Sequence, residues 1–199
     1  MSKVLILTYH YIRETLPRYS GIHPILAVDF QRQLASLRAN YDILTPKQYL
    51  MYLEGEFSLD RDSILITFDD GLKEQAQLAA DILDSLNLKA FFFVTTAPIL
   101  EQRAPFVLKT HFVRSEVGED QFCDLFFQRI SAQYQCVLTD PDVRKRASLM
   151  HVHDNPKTAV LKYLINFELP LEVIDRLSTK LLEEIGVDEA EFCYQFFMS

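Results

Sequence analysis

The sequence predicts an α/β fold with a parallel sheet, and three features carry that expectation. Residues 4–8, 64–68 and 90–94 are short apolar runs rich in β-branched and aromatic side chains, the pattern of strands buried on both faces. Residues 73–86, between the second and third runs, place Ala76, Ala79, Ile82, Leu83 and Leu86 at helical spacing. A strand, a helix and a strand within about thirty residues form a right-handed crossover, which makes the sheet parallel.

The remaining elements follow in order. Asp29 reads as the N-cap of a helix that carries Phe30, Leu34, Leu37 and Tyr41. Thr45-Pro46 is a cap followed by a first-turn proline, and the short helix it opens bears Tyr49, Leu50 and Leu53 and stops near Gly55. After Pro98 the texture changes: no strand of that quality is expected, and helices are predicted over residues 120–132, 142–150, 157–167, 171–185 and 189–197. Asn155-Pro156 and Leu169-Pro170 mark helix starts, and Gly186 marks a stop. Leu161, Leu164 and Ile165, then Ile174, Leu177 and Leu181, form apolar stripes that require packing partners. The boundary between an α/β part (1–98) and a mostly helical part (99–199) falls near residues 98–105.

Composition excludes several classes of function. A chain of 199 residues is one domain, or one domain with a large insertion. The net charge of −8 argues against broad contact with nucleic-acid phosphates. Five glycines, widely spread, leave no GxGxxG or P-loop. Cys123, Cys136 and Cys193 give neither a disulfide framework nor a CxxC metal site, and are expected to be buried thiols in a reducing compartment. No apolar run approaches the roughly 20 residues that span a bilayer, so no transmembrane segment is expected. Lys3 and an apolar run are followed by Tyr9, His10 and Arg13 without a small-residue cleavage site, so no signal peptide is read and a cytoplasmic location is expected.

The chemistry concentrates at Asp69-Asp70-Gly71, directly after the second strand. In parallel α/β folds, the carboxyl ends of strands are where active sites sit. Consecutive strand residues point to opposite sides, but a turn at Gly71 lets both carboxylates reach one pocket, because glycine accepts backbone angles other residues avoid. One carboxylate can ligate a metal and the other can accept a proton from water. Asp-Asp-Gly is also ordinary turn chemistry, and the dipeptide alone does not choose between these readings.

The octapeptide Ile64-Leu65-Ile66-Thr67-Phe68-Asp69-Asp70-Gly71 resembles the first motif, TFDDG, of the polysaccharide deacetylases (NodB homology, carbohydrate esterase family 4). Leu7-Thr8-Tyr9-His10 resembles the strand that opens many members, and Phe30-Gln31-Arg32-Gln33-Leu34 the helix that follows it. Ala90-Phe91-Phe92-Phe93-Val94-Thr95 resembles the strand after the TFDDG helix. The helical half, through Lys162-Tyr163-Leu164-Ile165-Asn166-Phe167, is similar to an insertion in deacetylases found near surface-polysaccharide gene clusters. The resemblance implies a distorted (β/α)7 barrel of NodB type, of which this chain holds the N-terminal portion, incomplete, followed by a mostly helical region. It implies a hydrolase that removes N-acetyl or similar acyl groups from amino sugars of a polysaccharide or glycolipid precursor. Carried over residue by residue, Asp69 is the general base and Asp70 a ligand of a divalent metal, commonly zinc.

Other family features have no counterpart. The second motif, HxxxH, supplies two histidine ligands, yet none of His10, His23, His111, His151 and His153 lie four apart. His151 and His153 form HxH, which on a helix points the rings apart. The later motifs, with a catalytic arginine, a hydrophobic wall and a general-acid histidine, are not found. Phe197-Met198-Ser199 matches the stretch that leads into the helix before HxxxH, so the expectation is a truncated deacetylase that does not retain the metal. His10, at the end of the first strand, is a candidate pocket-lining or second-layer residue; His23 and His111 are read as structural, residues 91–93 as barrel core, and Tyr9 and Tyr11 as packing groups. The competing reading is a non-catalytic remnant or binding module. A receiver or phosphatase domain is disfavoured, because no Thr/Ser and Lys pair follows at comparable strand ends. An incomplete barrel leaves an open parallel edge, so self-association is expected.

Overall fold

The structure is a computed structural model that describes residues 2–19, 22–130 and 132–198. It divides into two units: Met1–Leu16, His23–Gln102 and Cys193–Ser199 form the first, and Pro17–Ile22 with Arg103–Phe192 form the second. Ser199, the last residue of the stretch compared with the family above, lies outside the described residues. No helix among the described residues is long and apolar enough to cross a membrane.

The first unit is built on strand β5 (Ser63–Phe68), whose six residues are all buried. β1 (Val4–Tyr9) pairs with it in parallel along its whole length, from Val4 opposite Ser63 to Tyr9 opposite Phe68. The other edge of β5 is shared: β4 (Asp42–Leu44) pairs with its beginning and β6 (Phe91–Phe92) with its end, both in parallel. β2 (Ile12–Arg13) and β3 (Ile25–Leu26) form a separate parallel pair. Ile64, Ile66 and Phe68 alternate onto one face, where they pack with Phe30 and Leu34 of α1 (Ala27–Asn40) and with Ala79 and Leu83 of the helix after β5. Tyr9 sets its ring edge-on to Phe30 at 5.0 Å, and Phe68 stacks on Phe92 at 4.7 Å. Full burial of each such side chain is worth about 1.5–3 kcal/mol.

Local chemistry accounts for α2 (Pro46–Leu53) as read from the sequence. Thr45 and Gln48 form a reciprocal capping box, Pro46 opens the first turn, and Gly55 follows the helix at φ +78°. α1 differs. Its N-cap is Leu26, without a side-chain cap, and Asp29 sits inside the first turn, where it accepts from Arg32 Nη1 at 3.1 Å. An acid in the first turn suits the helix dipole without capping it. The helix expected over 73–86 is interrupted by a π turn (Gln75–Ala79) before α3 (Ala80–Ser85). That turn carries one residue more than an α turn, so Gln75 faces inward and Ala76 is exposed, which corrects the apolar face expected there. The third strand shrinks to two residues, and the aromatic run splits by alternation: Phe92 enters the core, whereas Phe93 is 54% exposed and stacks on Phe91. Residues 91–93 are therefore not all core. α4 (Ala97–Leu100) follows.

The second unit is helical among its described residues: α5 (Phe106–Val117), α6 (Glu119–Arg129), α7 (Ala132–Thr139), α8 (Pro141–Met150), α9 (Pro156–Tyr163) with a π turn (Leu164–Glu168), and α10 (Leu171–Glu184). α11 (Glu189–Phe196) begins here, and its last residues belong to the first unit. The stripe Ile174, Leu177 and Leu181 is buried as expected. Asn155 caps α9 by accepting from the Thr158 amide, and Gly186 follows α10 at φ +82°. α5 and α7 were not expected. α5 lacks a clean stripe because its inward face includes Lys109, Thr110 and Ser115 beside Leu108 and Val113.

Lys109 is fully buried, and its ammonium donates to Asp175 Oδ1, Thr179 Oγ1 and Glu189 Oε1, each at 2.8 Å. Its three donors are thus all used, and they tie α5 to α10 and to the start of α11. Burial works against the Asp175 carboxylate, but hydrogen bonds from Lys109 and Arg103 outweigh it and hold this carboxyl below the usual range. We expect Lys109→Met to lower stability by about 3 kcal/mol in urea unfolding, since it leaves two acids facing each other. Asp175 has a depressed folded pKa, so its stabilisation is complete above the ordinary Asp value of about 3.9 and is lost as pH falls through the folded value. This acid-side loss should be smaller in Lys109→Met.

Candidate active site

The in-register pairing of β1 with β5 ends at Tyr9 and Phe68, so the next residues of both strands emerge at one end of the sheet. The Asp69 amide continues the ladder by donating to the Tyr9 carbonyl at 3.1 Å, and the Phe93 amide donates to the Phe68 carbonyl at 2.8 Å. The chain then turns through two consecutive left-handed residues, Asp70 at φ +80° and Gly71 at φ +71°. Aspartate tolerates this region better than most residues, though at some cost. At Gly71 no alternative fits: a Cβ there would lie 2.8 Å from Val94 Cγ1 and 3.1 Å from Val94 Cα.

The turn delivers Asp70 to His10. Their Oδ2 and Nδ1 atoms are 2.8 Å apart, with the side chains 24% and 50% exposed. A carboxylate only accepts, so His10 donates through Nδ1 and its Nε2 stays outside this contact. Asp69 is half-buried beside it. Below the turn, the Thr8 and Thr67 hydroxyls meet across the ladder at 2.9 Å. Burial, aided by the negative charges of Asp70 and Glu74, pushes the Tyr11 phenol well above its ordinary pKa. Glu74, at the start of the following helix, accepts from the Ile12 amide at 3.1 Å and from Arg13 Nε at 3.0 Å. Burial raises its carboxyl pKa while Arg13 opposes the rise. Gln75 donates from Nε2 to the carbonyls of His10 and Asp69.

The structure thus brings together Asp70 and His10, with Asp69 adjacent. Tyr9 is core, as expected. His23 is exposed, His111 lies on α5, and the HxH pair does not lie on one helix: His151 is the C-cap of α8 and His153 is in the turn beyond. His151 Nδ1 is 3.8 Å from Asp154 Oδ2. Cys123 and Cys193 are buried thiols, but Cys136 is exposed, which corrects one third of the cysteine expectation. Among the described residues no group of three or more His, Cys, Asp and Glu could hold a metal ion. Catalytic zinc sites use three protein ligands, so Asp70 with its immediate neighbours does not fit a complete metal site. Glu74 and Gln75 escaped the sequence reading, whereas Tyr11 was read there as a packing group. The one available signal was polar residues at 74 and 75 opening an otherwise apolar helix.

Gly71→Ala is expected to cost more than about 1 kcal/mol, because it combines a strained φ with a collision against Val94. Thermal unfolding checks this. A variant as stable as the wild type would show that the turn relaxes freely.

A family model described as polysaccharide deacetylase matches residues 58–119. No curated protein matches the chain. Solved structures that align with the chain include a de-N-acetylase from Aggregatibacter actinomycetemcomitans, at 21% identity and TM-score 0.40, covering 45% of this chain and 36% of that one. A polysaccharide deacetylase from Bacillus cereus aligns at 24% identity and TM-score 0.38, covering 48% and 30%. IcaB from Ammonifex degensii aligns at 19% identity and TM-score 0.43, covering 94% and 84%. The alignments to the first two span about a third of their length. Residues 58–119, which hold β5, the Asp69-Asp70-Gly71 turn and β6, thus match the polysaccharide deacetylase family, the family that the octapeptide around that turn resembles.

Proposed function

We propose that this chain supplies part of the active site of a metal-dependent hydrolase that removes N-acetyl or similar acyl groups from amino sugars of a polysaccharide or glycolipid precursor. The observation that carries the reading is the Asp69-Asp70-Gly71 turn at the carboxyl end of β5, facing His10 at the end of β1, inside and beside the matched segment. Asp69 takes the proton of the attacking water as its oxygen bonds to the acetamide carbonyl carbon. The carbon–nitrogen bond then breaks as Asp69 returns that proton to the nitrogen, which leaves as a free amine together with acetic acid that ionises to acetate. Asp70 is the metal ligand in this reading, and His10 orients its carboxylate through Nδ1. Zinc or another divalent cation would supply Lewis acidity, but the described residues do not complete its ligand set, so no step is routed through it. The remaining ligands, and the strands that close a (β/α)7 barrel, are proposed to come from residues outside this chain.

A second reading, a non-catalytic remnant or binding module, is favoured by the missing third ligand among the described residues. Zinc binding and acetate release separate the two. The purified chain is expected to hold less than one zinc after dialysis and to release no acetate from N-acetylated chitooligosaccharides. A chain extended through an HxxxH stretch, should one be encoded downstream, is expected to gain both, and Asp69→Asn to slow it by at least about 100-fold. Zinc bound one-to-one by the present chain and lost in Asp70→Ala would overturn the partial-site reading. An extended chain that binds zinc without releasing acetate would favour the binding module.

The same reading expects self-association. Leu5 and Ile6 of β1, at one end of the sheet order, are 46% and 53% exposed. Light scattering is expected to show oligomers, and a monodisperse monomer would remove this part of the proposal.

A further inference from the structure

Gln75 is the first residue of the π turn after β5, and its side chain is fully buried. Its Nε2 donates to the His10 carbonyl at 2.8 Å and to the Asp69 carbonyl at 2.5 Å. These carbonyls belong to the residues directly beyond the last ladder pair, Tyr9 and Phe68. One planar nitrogen therefore spans the ends of both strands that carry the site. The amide orientation is fixed by chemistry, because a flip would set Oε1 against two carbonyl oxygens. Oε1 itself is buried without a hydrogen-bond partner among the described residues. π turns are frequent at functional sites, and this one is what rotates residue 75 inward in place of Ala76.

The Asp69 carbonyl lies in the same rigid peptide plane as the Asp70 nitrogen. Holding that oxygen fixes the plane from which Asp70 departs at φ +80° to meet His10. The second donor of the same nitrogen fixes the backbone from which His10 projects. On the far side of the turn, the Met198 amide donates to the Gly71 carbonyl at 2.9 Å, and Phe197 bridges Leu72. The planes entering Asp70 and leaving Gly71 are both held. We propose that Gln75 is the positioning residue of this site: its amide clamps the ends of β1 and β5 so that Asp70 and His10 meet, with Asp69 beside them. The inference rests on the reading of this turn as the hydrolytic site. Methionine has a similar length without the donors, and glutamate would place oxygen against oxygen.

Nitrogen NMR of the full chain tests this without any turnover. Above the ordinary histidine titration range, a free imidazole prefers the Nε2–H tautomer, whereas donation to Asp70 enforces Nδ1–H. Ring ¹⁵N shifts are expected to show Nδ1–H as the major His10 tautomer in the wild type and the minor one in Gln75→Met. Leu83→Ala, which removes core from the same helix, controls for destabilisation and is expected to leave the tautomer unchanged. A folded Gln75→Met that keeps Nδ1–H as the major form overturns the proposal. Should that variant not fold, the wild type still decides: the Gln75 side-chain amide protons are expected to be protected from solvent exchange, and exchange at the rate of a free glutamine overturns the clamp. Failure of acetate release would count against the hydrolase reading and leave these spectra untouched, so the two failures are distinguishable.

Discussion

The parallel ladder between β1 and β5 is the constraint on which the first unit depends. Six consecutive pairs run from Val4 and Ser63 to Tyr9 and Phe68, joining segments about sixty residues apart. The strands run the same way and stop at the same level, so whatever follows each is delivered to one place. A slip of one residue would reverse the faces of β1, taking Leu7 and Tyr9 out of the core. The register is set by that core: Tyr9, Phe68 and Phe30 form one aromatic cluster whose pieces come from two strands and a helix. Packing of apolar rings thus determines where two polar side chains meet.

Buried polar groups do comparable work in each unit by different chemistry. Lys109 uses a full charge to join three helices, and its acidic partners keep some contact with water, which lessens the desolvation that makes buried ion pairs costly. Gln75 uses a neutral amide against neutral carbonyls, which avoids burying a charge beside two acidic side chains. Glu74 stands between these cases. Its carboxyl is buried enough to be raised in pKa, yet it is engaged by Arg13 and by the Ile12 amide. In low-dielectric surroundings such groups fix geometry more sharply than apolar contacts do, because each misplacement leaves a donor or acceptor unpaired.

The family match and the geometry bear on different parts of the site. The match covers residues 58–119 and so includes Asp69 and Asp70, but it does not reach His10. The pairing of His10 with Asp70 is a finding of the structure. It places a histidine at the carboxylate assigned as a ligand, while the described residues bring no third ligating group there. The assignment of Asp70 to a metal and the contact of Asp70 with His10 therefore describe the same oxygen-bearing group in two settings, and the metal-binding experiment addresses which of them applies to the isolated chain.

Local signals in the sequence were enough to determine β5, α2, the Asp69-Asp70-Gly71 turn and the Ile174, Leu177 and Leu181 stripe. A continuous apolar run, a Thr-Pro cap and a carboxylate pair before glycine each express their structure within a few residues. What local patterns could not express was decided by tertiary contacts. β2, β3 and β4 span only two or three residues, too short for a period to show. Asp29 lost its cap role because β3 runs straight into α1 and starts that helix earlier. The inward face of α5 was hidden by Lys109, a residue that enters a core only when acids from distant helices await it. The inward turn of Gln75 arises from a π turn whose reward is two carbonyls, one of them sixty-five residues away. Propensity and spacing report on neighbours along the chain, and the pairing of His10 with Asp70 is fixed by hydrogen bonds that exist only once the strands have met.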